Sequence, residues 1–160
     1  MPKPPVVEGA VEDLAHELNA ARDGWNTAMG VRFVRATADE VVVEWEIAPQ
    51  HLQPYGIVHG GVHCGVIETI ASIGAGLYAR PRGQSVVGLE NHTSFIHAAR
   101  EGTLRATARP ITRGRRTQVW EGEIRDGAGR VVATGRVRLL CLEPGSELAG
   151  ATVGAKTRVG

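Results

Sequence analysis

The sequence predicts a single α+β domain in which a curved antiparallel sheet wraps around one long, buried helix. Three observations lead to this fold class. Residues 60–79 contain Glu68 as their one charged side chain and are rich in Gly and Ala, which is typical of a helix packed closely on its neighbours. After Glu40, apolar residues alternate with residues that include charged ones, as in a half-buried strand, and four strand-like runs follow Gly83. A long antiparallel sheet that covers an almost wholly apolar helix curls around it.

The predicted elements follow one another as helix, two strands, helix and four strands. Leu14, Leu18 and Ala21 recur at helical spacing, which predicts a short amphipathic helix between Val11 and Met29. After Glu40, apolar and charged residues alternate, which is typical of a half-buried antiparallel strand. The later strands are predicted at residues 84–96, 103–111, 117–125 and 130–142, with the hairpin signal DGAG between the last two.

One domain accounts for the whole chain. Its 160 residues are enough for a single core, and they contain no internal repeat. Residues 1–5 are rich in Pro, and residues 144–160 are rich in Gly and Ala with almost no large apolar side chain. We therefore expect the domain at residues 6–143, between poorly ordered termini.

Composition narrows the partners and the location. The net charge is +1, with acidic and basic residues mixed along the chain, which argues against attraction to nucleic acid or to an anionic membrane. No secretion signal or bilayer-length apolar run stands out, so a cytoplasmic protein is expected. Cys64 and Cys141 are too few for a disulfide framework and are expected as small buried side chains. Small molecules and like subunits are the expected partners.

Glu68 is the candidate catalytic residue. It lies in the predicted buried helix, where an unpaired carboxylate would cost several kcal/mol or become protonated. Ser72 follows four residues later on the same helix face, where its hydroxyl would steady the carboxylate or hold a water. A structural, hydrogen-bonded Glu and a small residue chosen for packing remain open alternatives for the two positions.

The start of the same helix predicts a site for negative charge. Pro54 and Gly56 predict a turn, and Gly60 and Gly61 then open the helix with backbone N–H groups that no side chain covers. Such a helix start stabilises an anion, including the oxyanion that forms at a thioester carbonyl.

Gly60 and Glu68 of one helix are too far apart to act on the same carbonyl carbon. Eight residues at a rise of about 1.5 Å each separate them by about 12 Å along the axis. Antiparallel packing of two copies would bring Glu68 of one copy to the turn of the other. We therefore expect a homodimer with two equal, shared active sites.

The spacing of these residues resembles that of hotdog-fold acyl-CoA thioesterases of the phenylacetate-degradation and 4-hydroxybenzoyl-CoA type. Gln53, the run HGG at 59–61, Glu68 and Ser72 match that pattern at every step. The resemblance implies that Glu68 is the nucleophile or general base and that Gly60 donates to the oxyanion. It also implies that Gln53 and His59 orient the carbonyl and the water, that no cofactor is needed beyond the CoA of the substrate, and that two dimers form a tetramer.

Downstream runs extend the resemblance over most of residues 52–142. The runs VVGLE at 86–90, AAREG at 98–102 and QVWEGEI at 118–124 look most like 1,4-dihydroxy-2-naphthoyl-CoA thioesterases. This likeness implies contacts with the acyl group or CoA at Gly61, Gly88, Phe95, His97, Arg113, Gly114, Arg115 and Arg116. Sheet packing or surface exposure is an alternative for Gly88 and His97, as solvated hairpin charges are for the arginines.

Phe95 departs from the pattern of those relatives, because some of them have His at this position. The identity of the acyl group therefore stays open, although a small aromatic group is expected. It depends on the shape of a pocket that the sequence does not reveal.

Other classes of site find less support. His59 and His63 resemble half of a zinc-binding helix, but Gly60 stands where the motif has Glu, so no metal is expected. Neither a G-x-S-x-G elbow nor a Cys/His nucleophile is evident. Two alternatives remain: a hotdog acyl-CoA hydratase or dehydratase, and a non-catalytic acyl-CoA-binding module.

Overall fold

The computed structural model describes residues 12–21 and 24–154. Their elements include the predicted order of helix, two strands, helix and four strands, together with a second short helix and a two-stranded hairpin that were not predicted. The main elements in chain order are α1 Ala15–Ala21, α2 Gly24–Ala28, β1 Arg32–Ala36, β2 Val41–Glu46, α3 Gly60–Ala79, β3 Ser85–Phe95, β4 Thr103–Arg113, β5 Thr117–Arg125, β6 Val131–Leu142, β7 Glu147–Leu148 and β8 Ala151–Thr152. Short 3-10 turns at Pro49–His51 and Arg80–Arg82 precede and follow α3.

Six strands form one antiparallel sheet that curves around α3. Their order across the sheet is β1-β2-β4-β5-β6-β3, and α3 contacts every strand from β2 to β6. The predicted fold class, a curved antiparallel sheet around a long central helix, is therefore confirmed. The core lies between helix and sheet, and its largest members include Val66, Ile67, Ile70, Leu104, Trp120, Ile124 and Leu139.

Three glycines of α3 each make room for an aromatic ring. A Cβ atom at Gly60, Gly65 or Gly74 would lie 2.6, 2.4 and 2.4 Å from the rings of Phe95, Trp25 and Trp120, respectively. These glycines therefore let side-chain rings of neighbouring elements pack directly against the backbone of the helix.

The segment Gly60–Arg82 is long and apolar enough to cross a membrane by length and composition alone. Half of its apolar 18-residue window is buried inside the protein, however, as in the core helix of a globular domain.

The two ends of the chain differ in part from expectation. The sequence predicted one short helix between Val11 and Met29, whereas the structure has α1 and a second short helix, α2, in that range; residues 22–23 lie outside the described part. Part of the tail predicted to lack order is a hairpin of β7 and β8. Ala149 and Gly150, with φ of 50° and 76°, form its tight turn, which the sequence hid because Ala rarely adopts such a φ. Residues 1–5 and 155–160 are outside the described residues.

Strand β3 forms one edge of the sheet. Within residues 12–21 and 24–154 it pairs with β6 alone, and a bulge interrupts that pairing between Gly88 and Glu90. Leu89 and Phe95 in β3 and Ile96 just after it are each at least half exposed, at 51%, 57% and 50%. The edge is therefore open and partly apolar.

Candidate active site

The turn before α3 is held by a hydrogen bond within its own backbone and by the side chain of Arg100. Gly56 adopts a φ of +67° in this turn, as a glycine permits, and its N–H donates to the Gln53 carbonyl over 2.8 Å. Arg100 Nη1 donates to the carbonyls of Tyr55 and Gly56 at 2.7 and 3.1 Å. These bonds fix the backbone beside Gln53, whose side chain is half buried.

His59 caps α3 and determines which backbone donor remains free. Its Nδ1 accepts a hydrogen bond of 2.8 Å from the Gly61 N–H, so the neutral ring carries its proton on Nε2. The Gly60 N–H has no hydrogen-bond acceptor among the described residues. One free donor therefore remains at the helix start, at the position expected to bind an oxyanion.

Phe95 and His63 line the space beside Gly60. The Phe95 ring lies over Gly60, and its centroid is 6.1 Å from that of His63. Burial lowers the pKa of His63 from 6.5 to about 4, so this ring is neutral at neutral pH. His63 Nδ1 is buried and has no hydrogen-bond partner in the described part of the chain. This side of the helix start is thus aromatic and uncharged.

Glu68 is half buried, and hydrogen-bond donors from two elements surround its carboxylate. Asn91 Nδ2 in β3 donates to Oε2 at 3.0 Å. Ser72 Oγ in α3 lies 3.4 Å from Oε1, which is long for a bond from a hydroxyl to a carboxylate. Gly88 leaves the space that Oε1 occupies, because a Cβ there would lie 2.2 Å from that oxygen. The carboxylate is therefore positioned mainly by the edge strand.

The two halves of the expected site lie on one uninterrupted helix. Since α3 runs from Gly60 to Ala79, the separation of about 12 Å between Gly60 and Glu68 stands. A cavity of about 570 Å³ opens on the opposite face of the sheet, where His92, Arg109, Glu121 and Arg136 are among its lining residues. Because Gln53, Gly60 and Glu68 do not line this cavity, it does not join the two halves.

The arginines of the basic segment at residues 113–116 differ in their contacts: the first is held by neighbouring side chains, and the other two are exposed to solvent. Arg113 donates to Asp39 Oδ1 at 2.6 Å and lies over the Tyr78 ring, which Arg82 covers as well. Arg115 pairs loosely with Glu143 at 3.4 Å and is largely exposed, and Arg116 is exposed too. The Gly114 N–H donates to the Thr117 carbonyl in the connection between β4 and β5. Binding of CoA at these residues stays a prediction.

Several contacts were outside the reach of the sequence. The contacts of Asn91 and Arg100 were not predicted, although Arg100 lies in the run AAREG, because their partners lie 23 and at least 44 residues away in the chain. His51 was also missed: it is buried, with Nδ1 accepting from the Ala48 N–H and Nε2 bonded to the Met29 carbonyl. His97 Nδ1 contacts the Val131 carbonyl at 2.8 Å, and the contact of this side chain with CoA stays a prediction. Among the residues that the structure describes, no cluster of three His, Cys, Asp or Glu side chains suits a metal ion.

Comparisons with known proteins agree on one family. Residues 55–133 match the model of the thioesterase superfamily. The Mycobacterium tuberculosis protein Rv1847, an esterase by name, is 40% identical over 121 residues, which cover 74% of this chain and 86% of the relative. The 1,4-dihydroxy-2-naphthoyl-CoA hydrolase of Escherichia coli K12 is 34% identical over 121 residues, covering 75% of this chain and 88% of the hydrolase.

Solved structures give the same result. The structure of Rv1847 has a TM-score of 0.73 and 41% identity, and covers 74% of this chain and 96% of its own. A thioesterase of Haemophilus influenzae, HI1161, has a TM-score of 0.76 and 28% identity, and covers 81% of this chain and 90% of its own. The curved sheet around one helix is thus shared with thioesterases of known structure.

Proposed function

This chain belongs to the thioesterase superfamily and is a thioester hydrolase, and we propose that Glu68 carries out the hydrolysis of a small aromatic acyl-CoA. The observation that carries the proposal is the setting of Glu68. It is the one charged residue of α3, and its carboxylate is held by Asn91 and approached by Ser72. A buried helix keeps such a residue at a cost, which a catalytic role explains.

Two routes are open to this carboxylate. As a nucleophile, Glu68 attacks the carbonyl carbon, the C–S bond breaks, CoA leaves as a thiolate, and water then hydrolyses the resulting anhydride. As a general base, Glu68 takes a proton from the water that attacks the same carbon. In both routes negative charge develops on the carbonyl oxygen, and the free N–H of Gly60 supplies a donor for it. Gln53 and His59 Nε2–H are the proposed orienting groups.

A second copy of the chain supplies the missing half of each site in this proposal. Glu68 of one copy works with Gly60, His59 and Gln53 of the other, because one helix separates these groups by about 12 Å. The open edge of β3 and the exposed Leu89 and Ile96 support a homodimer that covers them. The tetramer stays a prediction that rests on resemblance.

The aromatic acyl group is proposed from two observations. The ring of Phe95 is beside the free N–H of Gly60 and is 57% exposed, so a flat acyl group has an aromatic face to pack against. The Escherichia coli relative is named for an aromatic acyl-CoA. Arg115 and Arg116 are the proposed contacts for the phosphates of CoA, since both are exposed. A cytoplasmic location and the absence of a cofactor remain predictions.

Glu68→Gln tests the proposal. It removes the charge with little change of shape, so turnover of the preferred acyl-CoA is expected to fall at least about 100-fold while the fold is retained. Release of free CoA thiol measures the turnover, across benzoyl-, phenylacetyl-, naphthoyl- and straight-chain acyl-CoA. Glu90→Gln is the control, because Glu90 is exposed and paired with Arg138.

Turnover by Glu68→Gln at the wild-type rate would refute the role of Glu68. A preference for straight chains would refute the aromatic assignment. Addition of water to the acyl chain without release of thiol would favour the hydratase, and binding without any reaction would favour the binding module.

A further inference from the structure

We propose that Asn91 is a positioning residue that holds the Glu68 carboxylate in its reactive orientation, and that Thr93 sets the direction of the Asn91 amide. The inference rests on the proposed function of Glu68. It assigns to the edge strand β3 a role in the chemistry of α3.

The amide of Asn91 bridges one full turn of α3. Its Nδ2 donates to the Cys64 carbonyl at 3.1 Å and to Glu68 Oε2 at 3.0 Å. Cys64 and Glu68 are four residues apart, so the two acceptors lie one above the other on the same helix face. An NH₂ group has two hydrogens, and both have an acceptor here. The amide therefore fixes the carboxylate relative to the helix backbone, which a single contact could not do.

Thr93 makes this orientation of the amide the favoured one. Its Oγ–H donates to Asn91 Oδ1 over 2.7 Å, and the two residues share a strand face because they are two positions apart. Rotation of the amide by half a turn would set Oδ1 against the Cys64 carbonyl and the Glu68 carboxylate, which accept hydrogen bonds and cannot donate them. The chain of contacts therefore runs from Thr93 through Asn91 to Glu68.

The other neighbours of Glu68 orient its carboxylate less strongly than Asn91 does. Ser72 Oγ is 3.4 Å from Oε1, beyond the usual range for a hydroxyl donor. Gly88 contributes space alone. Asn91 thus donates a hydrogen bond to Oε2, which leaves Oε1 as the oxygen that can attack a carbonyl carbon or take a proton from water. The bulge between Gly88 and Glu90 sets how β3 faces the helix at this point, and bulges commonly redirect side chains near active sites.

A purely structural role for Asn91 makes a different prediction. If the amide merely ties β3 to Cys64, its loss would lower stability or assembly and would change turnover only through the folded fraction. If it positions Glu68, kcat falls while KM and the fold are retained, because the carboxylate acts in the transition state.

The experiment compares kcat and KM for Asn91→Ala, Asn91→Asp, Thr93→Val and Thr93→Ser on the preferred acyl-CoA. Asn91→Ala should lower kcat about 10- to 50-fold with KM within about twofold, since small misplacements of a catalytic group are costly. Asn91→Asp should be at least as impaired, because a carboxylate replaces the donor. Thr93→Val should lose about 3- to 10-fold, and Thr93→Ser, which keeps the hydroxyl, should recover at least half of that loss.

His92→Ala is the matched control, since His92 is the next residue of β3 and lines the cavity on the opposite face. Circular dichroism and sedimentation of each variant should match the wild type. In a Glu68→Gln background, Asn91→Ala should cause no further loss, because the two residues act as a unit.

Wild-type kcat in both Asn91→Ala and Thr93→Val would overturn the inference while leaving the proposed function intact, provided that Glu68→Gln is inactive. An additive loss in the double variant would overturn it as well. Full activity of Glu68→Gln would refute the proposed function itself. If Asn91→Ala does not fold, the near-isosteric Thr93→Val and Thr93→Ser pair still decides the question.

Discussion

The ring of Phe95 covers Gly60 so closely that a Cβ atom there would lie 2.6 Å from Cζ. Phe95 belongs to the edge strand, and at the start of α3 the N–H of Gly60 has no acceptor in residues 12–21 and 24–154. An exposed aromatic ring and a backbone hydrogen-bond donor therefore lie next to each other. This pairing makes the size of the residue at position 60 a matter of function as well as of packing.

Gly60→Ala should therefore lower activity more than stability. The methyl group displaces the Phe95 ring, which is 57% exposed and free to swing away, so the loss of stability should stay below about 1 kcal/mol. Turnover should fall about 10-fold or more because the ring beside the proposed oxyanion donor has moved. Thermal unfolding and kcat/KM measure the two effects. Gly127→Ala is the control, since a Cβ there meets no atom within 4 Å. A Gly60→Ala protein with wild-type kcat/KM would contradict the assignment of this helix start.

Two inactive variants should restore activity when they form mixed dimers. A subunit with Glu68→Gln keeps its Gln53, and a subunit with Gln53→Ala keeps its Glu68, so each mixed dimer contains one intact shared site. Random pairing makes half of the dimers mixed, each with one of two sites intact, and predicts about a quarter of wild-type turnover. Co-expression with two affinity tags and thiol release test this. If the complete site lay within one chain, the mixture would stay inactive.

Gly74 and Gly76 offer a matched pair for the packing of α3. A Cβ at Gly74 would lie 2.4 Å from the ring of Trp120, which is fully buried and cannot move aside. Gly74→Ala should therefore cost about 1 to 3 kcal/mol, despite the better helix propensity of Ala. At Gly76 the nearest atom, Val86 Cγ2, would be 3.7 Å away, so Gly76→Ala should stabilise by up to about 1 kcal/mol. Urea unfolding measures both, and equal effects would contradict the packing described.

His63 should make the stability of the fold sensitive to acid. Its pKa falls from 6.5 to about 4 on burial, so the unfolded chain takes up the proton first as the pH drops. The free energy of unfolding is therefore unaffected by the titration of His63 above pH 6.5. Between pH 6.5 and about 4 it falls by about 3 kcal/mol at most, because the unfolded chain is protonated at His63 and the folded chain is not. His63→Leu should flatten this part of the stability curve in urea unfolding, whereas His92→Gln, an exposed control, should leave it unchanged. A wild-type slope in His63→Leu would contradict the predicted origin.

The sequence predicted those parts of the site that lie close together along the chain. Ser72 follows Glu68 by one helical turn, so helix geometry alone places the hydroxyl near the carboxylate. The glycines after His59 likewise marked the start of α3, which begins at Gly60. Resemblance to a family then added roles that no local pattern contains.

The contacts between elements were beyond prediction for a physical reason. Whether Asn91 or His92 faces α3 depends on the register of β3, and the bulge after Gly88 shifts that register locally. The cap that His59 forms on Gly61 was also unforeseen, because His is not among the usual capping residues. It leaves Gly60 as the sole free donor of the two glycines, a distinction that the sequence did not make.

The alternation of β3 also constrains how this enzyme can change over evolutionary time. Asn91 and Thr93 face Glu68, while His92 and Ser94 face the opposite side of the sheet. Inserting or deleting one residue between the bulge and Asn91 would exchange these two sets and deprive Glu68 of its amide donor. Point substitutions can therefore accumulate at the positions of this strand that face away from Glu68, whereas a change of its length would require a new donor to support the carboxylate.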